Sequence, residues 1–151
     1  MVNKMEMPKP DPAWKRFEKL IGKWELKGRS LDSKEDNITG WSTFEWILDG
    51  FFLKMTSEIN FNGMTIHSVE IVAYDLDKKT FPANVYSNMS GGVLSYGMDM
   101  KNNEFTHTGL GATYKGTLSE DGNTLKGGWR PDKGIPSTAA NTYDADMIRI
   151  K

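Results

Sequence analysis

Two short turns set inside alternating strands limit this chain most. Thr39 to Leu48 and Phe51 to Asn60 flank Asp49-Gly50. Asp-Gly suits a type I′ hairpin turn, whose two central residues both need positive φ. The turn fixes a register in which Leu48 faces Phe51, Trp46 faces Leu53 and Phe44 faces Met55. These large apolar side chains then share one face, and Glu45 meets Lys54 on the other as a cross-strand ion pair. Asn62-Gly63 repeats the device and pairs Ile59 with Ile66, Ser57 with Ser68 and Met55 with Glu70. Ile66, Ser68, Glu70, Val72 and Tyr74 then face inward and His67 outward beside Glu58. A one-residue bulge would exchange those faces and bring Val69 and Ile71 inside.

The later chain continues in hairpins. Asn102-Asn103 pairs Met100 with Phe105 and Met98 with His107, so Leu94, Tyr96, Met98, Met100, Phe105 and His107 share a face. Asp121-Gly122 sets Leu118 against Leu125, Gly116 against Gly127 and Tyr114 against Trp129. Alternation around Asp144 and Asp146 points Tyr143, Ala145, Met147 and Arg149 inward. Between Thr80 and Asn88 two readings compete, Phe81/Ala83/Val85 inward or Asn84/Tyr86 inward, with Pro82 at a strand start or bulge. Ser90-Gly91-Gly92 reads as a break. The count is nine strands, or ten if Gly109–Gly111 is a true reversal. An even count lets the first and last strands meet antiparallel.

No helical pattern of crossover length lies between strands, which excludes a parallel α/β sheet. The fold expected is all-β: an up-and-down antiparallel barrel of 8–10 strands in one domain over residues 11–151. Residues 1–10 read as a flexible arm. Asp11-Pro12 is a helix start, and Trp14, Phe17, Ile21 and Leu20 form the apolar side of a short helix that Gly22 ends. From Lys23 the period is two, with Trp24, Leu26 and Gly28 inward. The helix is expected to plug one end, leaving a mouth near Ser30–Ile38, Asn62-Gly63 and Ser90–Gly92.

Gly22-x-Trp24 after a short helix, followed only by hairpins, resembles the calycin superfamily of lipocalins, fatty-acid-binding proteins and avidins. That resemblance implies that Trp24 packs under Arg149 as a structural signature at the closed end, a cation–π contact. Ile47-Leu48-Asp49-Gly50-Phe51-Phe52-Leu53, Ala73-Tyr74-Asp75 and the run from Tyr114-x-Gly116 to Gly127-x-Trp129 are similar to an uncharacterised bacterial lipocalin-like family, one of the domains of unknown function. The likeness spans roughly residues 17–150. Where that family has tryptophan-valine-aspartate on its fifth strand, this chain has Val85-Tyr86-Ser87.

Composition removes several classes of function. There is no Cys, hence no disulfide, thiolate zinc site or thiol nucleophile. Net charge is -1 with both signs interspersed, which does not suit nucleic acid. No stretch reaches membrane-span or signal-peptide length, so a soluble, cytoplasmic protein is expected. Neither a Gly-x-Ser-x-Gly nucleophile motif nor a nucleotide fingerprint is present, and two His make a poor zinc set. Haem, held by His107 or Met98, is a minor reading; no metal or cofactor is expected.

The expected interior is Phe44, Trp46, Glu70, Tyr96, Met98, His107, Tyr114, Trp129 and Tyr143. Its apolar members alone could be plain core. Buried Glu and unpaired Tyr hydroxyls are costly, so the polar members argue for a wet or liganded cavity. The leading expectation is binding of a small apolar or aromatic molecule, with Trp46, Tyr114 and Trp129 as walls and His107, Tyr96 and Glu70 as anchors. The alternatives are an isomerase or cyclase using Glu70 and His107 for proton transfer, and a filled barrel acting through its outer face, a homodimer among its forms.

Overall fold

The computed structural model describes residues 4–151, and its strands close into one ten-stranded antiparallel barrel. In chain order these are β1 (Gly22–Ser30), β2 (Ile38–Ile47), β3 (Phe52–Phe61), β4 (Met64–Val72) and β5 (Phe81–Ser87). Then follow β6 (Ser90–Lys101), β7 (Glu104–Gly109), β8 (Ala112–Leu118), β9 (Thr124–Pro131) and β10 (Tyr143–Arg149). Each strand pairs with its chain neighbours, and β10 returns antiparallel to β1 from Trp24↔Arg149 to Ser30↔Tyr143. Leu110-Gly111, with φ of 53° and 77°, is a true reversal, and it makes the strand count even.

Apart from the Leu48–Phe51 pair, the register predicted from the turns holds. Trp46 pairs with Leu53, Phe44 with Met55, Ile59 with Ile66 and Met55 with Glu70. The Glu45–Lys54 pair sits on the outer face at 3.9 Å. No bulge intervenes in β4, so Glu70 and Val72 are buried inward and His67 is exposed. On β5 the choice falls to Phe81, Ala83 and Val85 inward, with Tyr86 outside.

Three local expectations are corrected. Asp49-Gly50 has the positive φ of a type I′ turn, 60° and 87°, but Leu48 is also left-handed at 50°. That twist takes Leu48 and Phe51 out of the ladder, which ends at Ile47↔Phe52, and leaves Leu48 exposed. Ser90-Gly91-Gly92 does not break the sheet; it opens β6, and the reversal lies at Asn88-Met89. The N-terminal helix, Pro12–Leu20, is a 3₁₀ helix that stops at an extended Ile21 rather than at Gly22. With three residues per turn, Trp14, Phe17 and Leu20 line up on its buried side and Ile21 does not. Asp11 accepts from Ala13 N at 2.8 Å as the cap. Of the N-terminal arm expected over residues 1–10, residues 1–3 lie outside the described residues and residues 4–10 carry no helix or strand.

The helix seals the end of the barrel where β1 begins and β10 ends. Trp14 packs edge-on against Trp46 and Phe81, and Phe17 against Phe81. Arg149 ties the seal together. Its guanidinium stands 4.3 Å from the Trp24 ring and donates to the carbonyls of Lys19, Ile21 and Gly122. Trp24 Nε1 donates in turn to Leu20 O at 2.9 Å. Gly22 has a φ of +131°, and a Cβ there would stand 2.8 Å from Arg149 Nη1. Glycine lets the strand start that close to the guanidinium. Among the described residues no helix is long and apolar enough to cross a membrane.

Candidate functional site

Inside the barrel the side chains change character with depth. Next to the seal lie Trp24, Phe44, Leu53, Val72, Phe81 and Leu125, each at most 2% exposed. Above them comes a polar level. Ser42 and Ser57 share a hydrogen bond of 2.8 Å on β2 and β3. Glu70 on β4 reaches across the lumen to His107 on β7, three strands away in the sheet order. His107 Nε2–H donates to both carboxylate oxygens at 2.9 Å. A buried carboxylate without a partner is expensive, and this contact supplies one.

Rings surround the dyad. Tyr96 and Trp129 centroids lie 5.3 and 5.2 Å from the imidazole, and Tyr114 lies 5.9 Å from Trp129. Gly109 makes room for Tyr96: the two are opposite in the ladder, and a Cβ at Gly109 would overlap the Tyr96 ring. Burial, and then the charge of Glu70, push the Tyr96 phenol above its ordinary value. Burial also raises the Tyr143 and Tyr114 phenols above their ordinary value.

The polar tips of this group are unequally provided for. Tyr114 Oη donates to Ala145 O at 2.8 Å, which uses its proton. Among the described residues His107 Nδ1, the Tyr96 and Tyr143 hydroxyls and Trp129 Nε1 have no hydrogen-bond partner. Among the described residues no fully buried side-chain polar atom lacks one. These four atoms therefore open onto solvent-accessible space. Nearer the mouth, Ile59, Ile66, Leu94, Tyr96, Trp129 and Tyr143 are partly exposed, while Ile38 and Ala112 are buried.

The structure brings Glu70, Tyr96, His107, Tyr114 and Trp129 together, with Tyr143 near the mouth against Phe61 at 5.0 Å. Met98 is buried opposite His107 in the ladder. Phe44 lies deeper, edge-on to Phe105 at 6.2 Å. Trp46 is elsewhere, at the sealed end against Trp14. Parity had put Trp46 on the inner face, but parity carries no depth. What sequence reasoning missed is Ser42: the two turns already align Ser42, Ser57 and Ser68 across β2, β3 and β4, and Ser87 of β5 extends the row.

Two surface depressions lie outside the lumen. One of about 520 Å³ sits beside the helix, between Pro10, Trp14, Trp46 and Gly50. The other, about 220 Å³, lies on the outer face of β2–β5 around Trp41, Val69 and Tyr86. Among the described residues no three His, Cys, Asp or Glu side chains converge as a metal set. The sequence model of one protein family, described as a protein of unknown function (DUF1579), matches residues 9–118. No curated protein matches the chain.

Proposed function

From a chain that belongs to this family of unknown function, DUF1579, we propose a binding role: the open half of the barrel holds one small apolar or aromatic molecule. The observation that carries the reading is the His107–Glu70 dyad, whose second ring nitrogen has no hydrogen-bond partner among the described residues and stands beside partly exposed rings. Apolar walls with a few placed polar atoms are the usual make-up of a small-molecule site. Trp24 under Arg149 and the closed meander support the likeness to the calycin barrels, where the lumen is the binding compartment.

The test uses N-phenyl-1-naphthylamine, a neutral probe that brightens in apolar surroundings. The full chain should bind it saturably at one site. His107→Ala should weaken binding about tenfold, the worth of one good hydrogen bond to a bound ligand. Trp41→Ala, on the outer face, should leave it unchanged. Absence of saturable binding, or binding indifferent to His107→Ala but lost in Trp41→Ala, would falsify the lumen reading.

The same dyad favours a second reading, proton transfer. A carboxylate holding Nε2–H leaves Nδ1 as the acceptor of a neutral imidazole, the arrangement of a general base. The base would take a proton from the carbon beside a carbonyl and return it. Deuterium uptake by 2-tetralone from heavy water, faster than buffer and lost in His107→Ala, would establish it. Uptake at the buffer rate would leave only the binding role.

A further inference from the structure

Resting on the binding role above, we infer that the barrel selects uncharged aromatic molecules bearing hydroxyl or carbonyl groups, and rejects carboxylates, fatty acids included. The inference comes from the sign of the charges inside. Strand alternation sends Lys23, Lys27, Arg29, Lys54, Lys115, Lys126 and Arg130 to the outer face. Among the described residues the inward strand positions carry one Lys or Arg side chain, Arg149. It lies at the sealed end, with its donors committed to the carbonyls of Lys19, Ile21 and Gly122 and its face on Trp24. His107 Nε2 lies 2.9 Å from the Glu70 carboxylate, so the imidazole already has its acidic partner within the barrel.

A carboxylate entering the lumen would thus find no cation to pair with and would approach the negative Glu70. Burying an unpaired charge is costly, and a like charge adds to the cost. A neutral ligand meets neither penalty. What the lumen does offer is short-range and uncharged: an acceptor at His107 Nδ1, the Tyr96 and Tyr143 hydroxyls and the Trp129 N–H. Tyr96 and Trp129 stand at 88° to one another with centroids 6.4 Å apart, an edge-to-face pair that can extend to a third ring. The opposite wall presents Ser68, a hydroxyl again.

Two probes of one shape decide it. At neutral pH 2-naphthol is uncharged and 2-naphthoate is an anion. Quenching of tryptophan fluorescence in the full chain should give naphthol at least about tenfold tighter than naphthoate. Laurate should follow naphthoate. Glu70→Gln, which removes the negative charge and keeps the shape, should narrow the gap by strengthening naphthoate. The wild-type comparison stands by itself if that variant does not fold. Equal or tighter binding of naphthoate or laurate overturns the inference and leaves the binding role intact. Naphthol failing on a chain that takes N-phenyl-1-naphthylamine also overturns it. Failure of every probe removes the binding role beneath it.

Discussion

Toward the sealed end Trp24, Phe44, Leu53, Phe81 and Leu125 are almost wholly buried, whereas toward the mouth Ile59, Ile66, Tyr96, Trp129 and Tyr143 keep part of their surface exposed. Both sets come from the same strands with the same alternation. The difference lies in what closes each end. At one end Trp14, Phe17 and Leu20 of the 3₁₀ helix complete the packing, and Arg149 fastens the helix to the barrel. At the other, loops 31–37 and 132–142 join the strands, and no helix is present there. On the binding role proposed above, the sealed half carries stability and the half toward the mouth carries binding.

The largest effects should separate the halves outright. Trp24→Ala removes a fully buried indole, its bond to Leu20 and the platform under Arg149. It should cost about 3–5 kcal/mol in urea unfolding. Ile66→Ala near the mouth truncates a partly exposed side chain and should cost less than about 1.5 kcal/mol. Comparable losses at the two sites would erase the distinction.

Arg149 sharpens it. Arg149→Met keeps a long apolar stem but strands the carbonyls of Lys19, Ile21 and Gly122 and loses the contact with Trp24. A loss of about 2–3 kcal/mol is expected, with N-phenyl-1-naphthylamine affinity retained in the folded fraction. Lysine should recover only part, because it cannot serve the divergent carbonyls with a planar fork. A variant that keeps its stability and loses the probe would place binding at the wrong end.

Alkali should probe the level between the halves. Tyr114 is held protonated by burial, so its folded pKa lies above the unfolded value of 10.0. The sign follows: above pH 10 the unfolded chain gives up this proton and the folded chain keeps it, so stability falls as pH rises. The slope for one such group approaches about 1.4 kcal/mol per pH unit. Tyr114→Phe should flatten the fall above pH 10 and leave neutral pH little changed, apart from freeing Ala145 O. An unchanged alkaline slope would mean that Tyr114 is not sealed from water.

These expectations rest on how far the sequence could be read. Asp49-Gly50 and Asn62-Gly63 fixed a register across β2, β3 and β4 because a turn type and an alternating pattern agreed. The same period-two reading separated in from out along most strands. It could not give depth, and so Trp46 stood beside Tyr114 in sequence terms while the fold puts it at the seal. Nor could it give the Glu70–His107 contact, made across the lumen between residues 37 apart in the chain. The helix type was hidden for another reason: Trp14, Phe17 and Leu20 recur every three residues, and a stretch of nine is too short to tell 3.0 from 3.6 per turn.

The smallest effects belong to the serine row, which crosses from one regime to the other with one residue type. Ser42 is fully buried and its hydroxyl is spent on Ser57 at 2.8 Å. Ser68, on the next strand at the same ladder position, is partly exposed and has no side-chain hydrogen bond within the described residues. Ser42→Ala leaves the Ser57 hydroxyl buried and unpaired, and should cost about 1–2 kcal/mol. Ser68→Ala should stay within about 0.5 kcal/mol, since that hydroxyl is partly exposed to solvent. Its effect should instead appear in ligand affinity, with 2-naphthol weakened a few-fold while Ser42→Ala leaves it alone. If both serines cost the same stability and neither changes binding, the boundary between packed and open lumen does not run between β3 and the mouth side of β4.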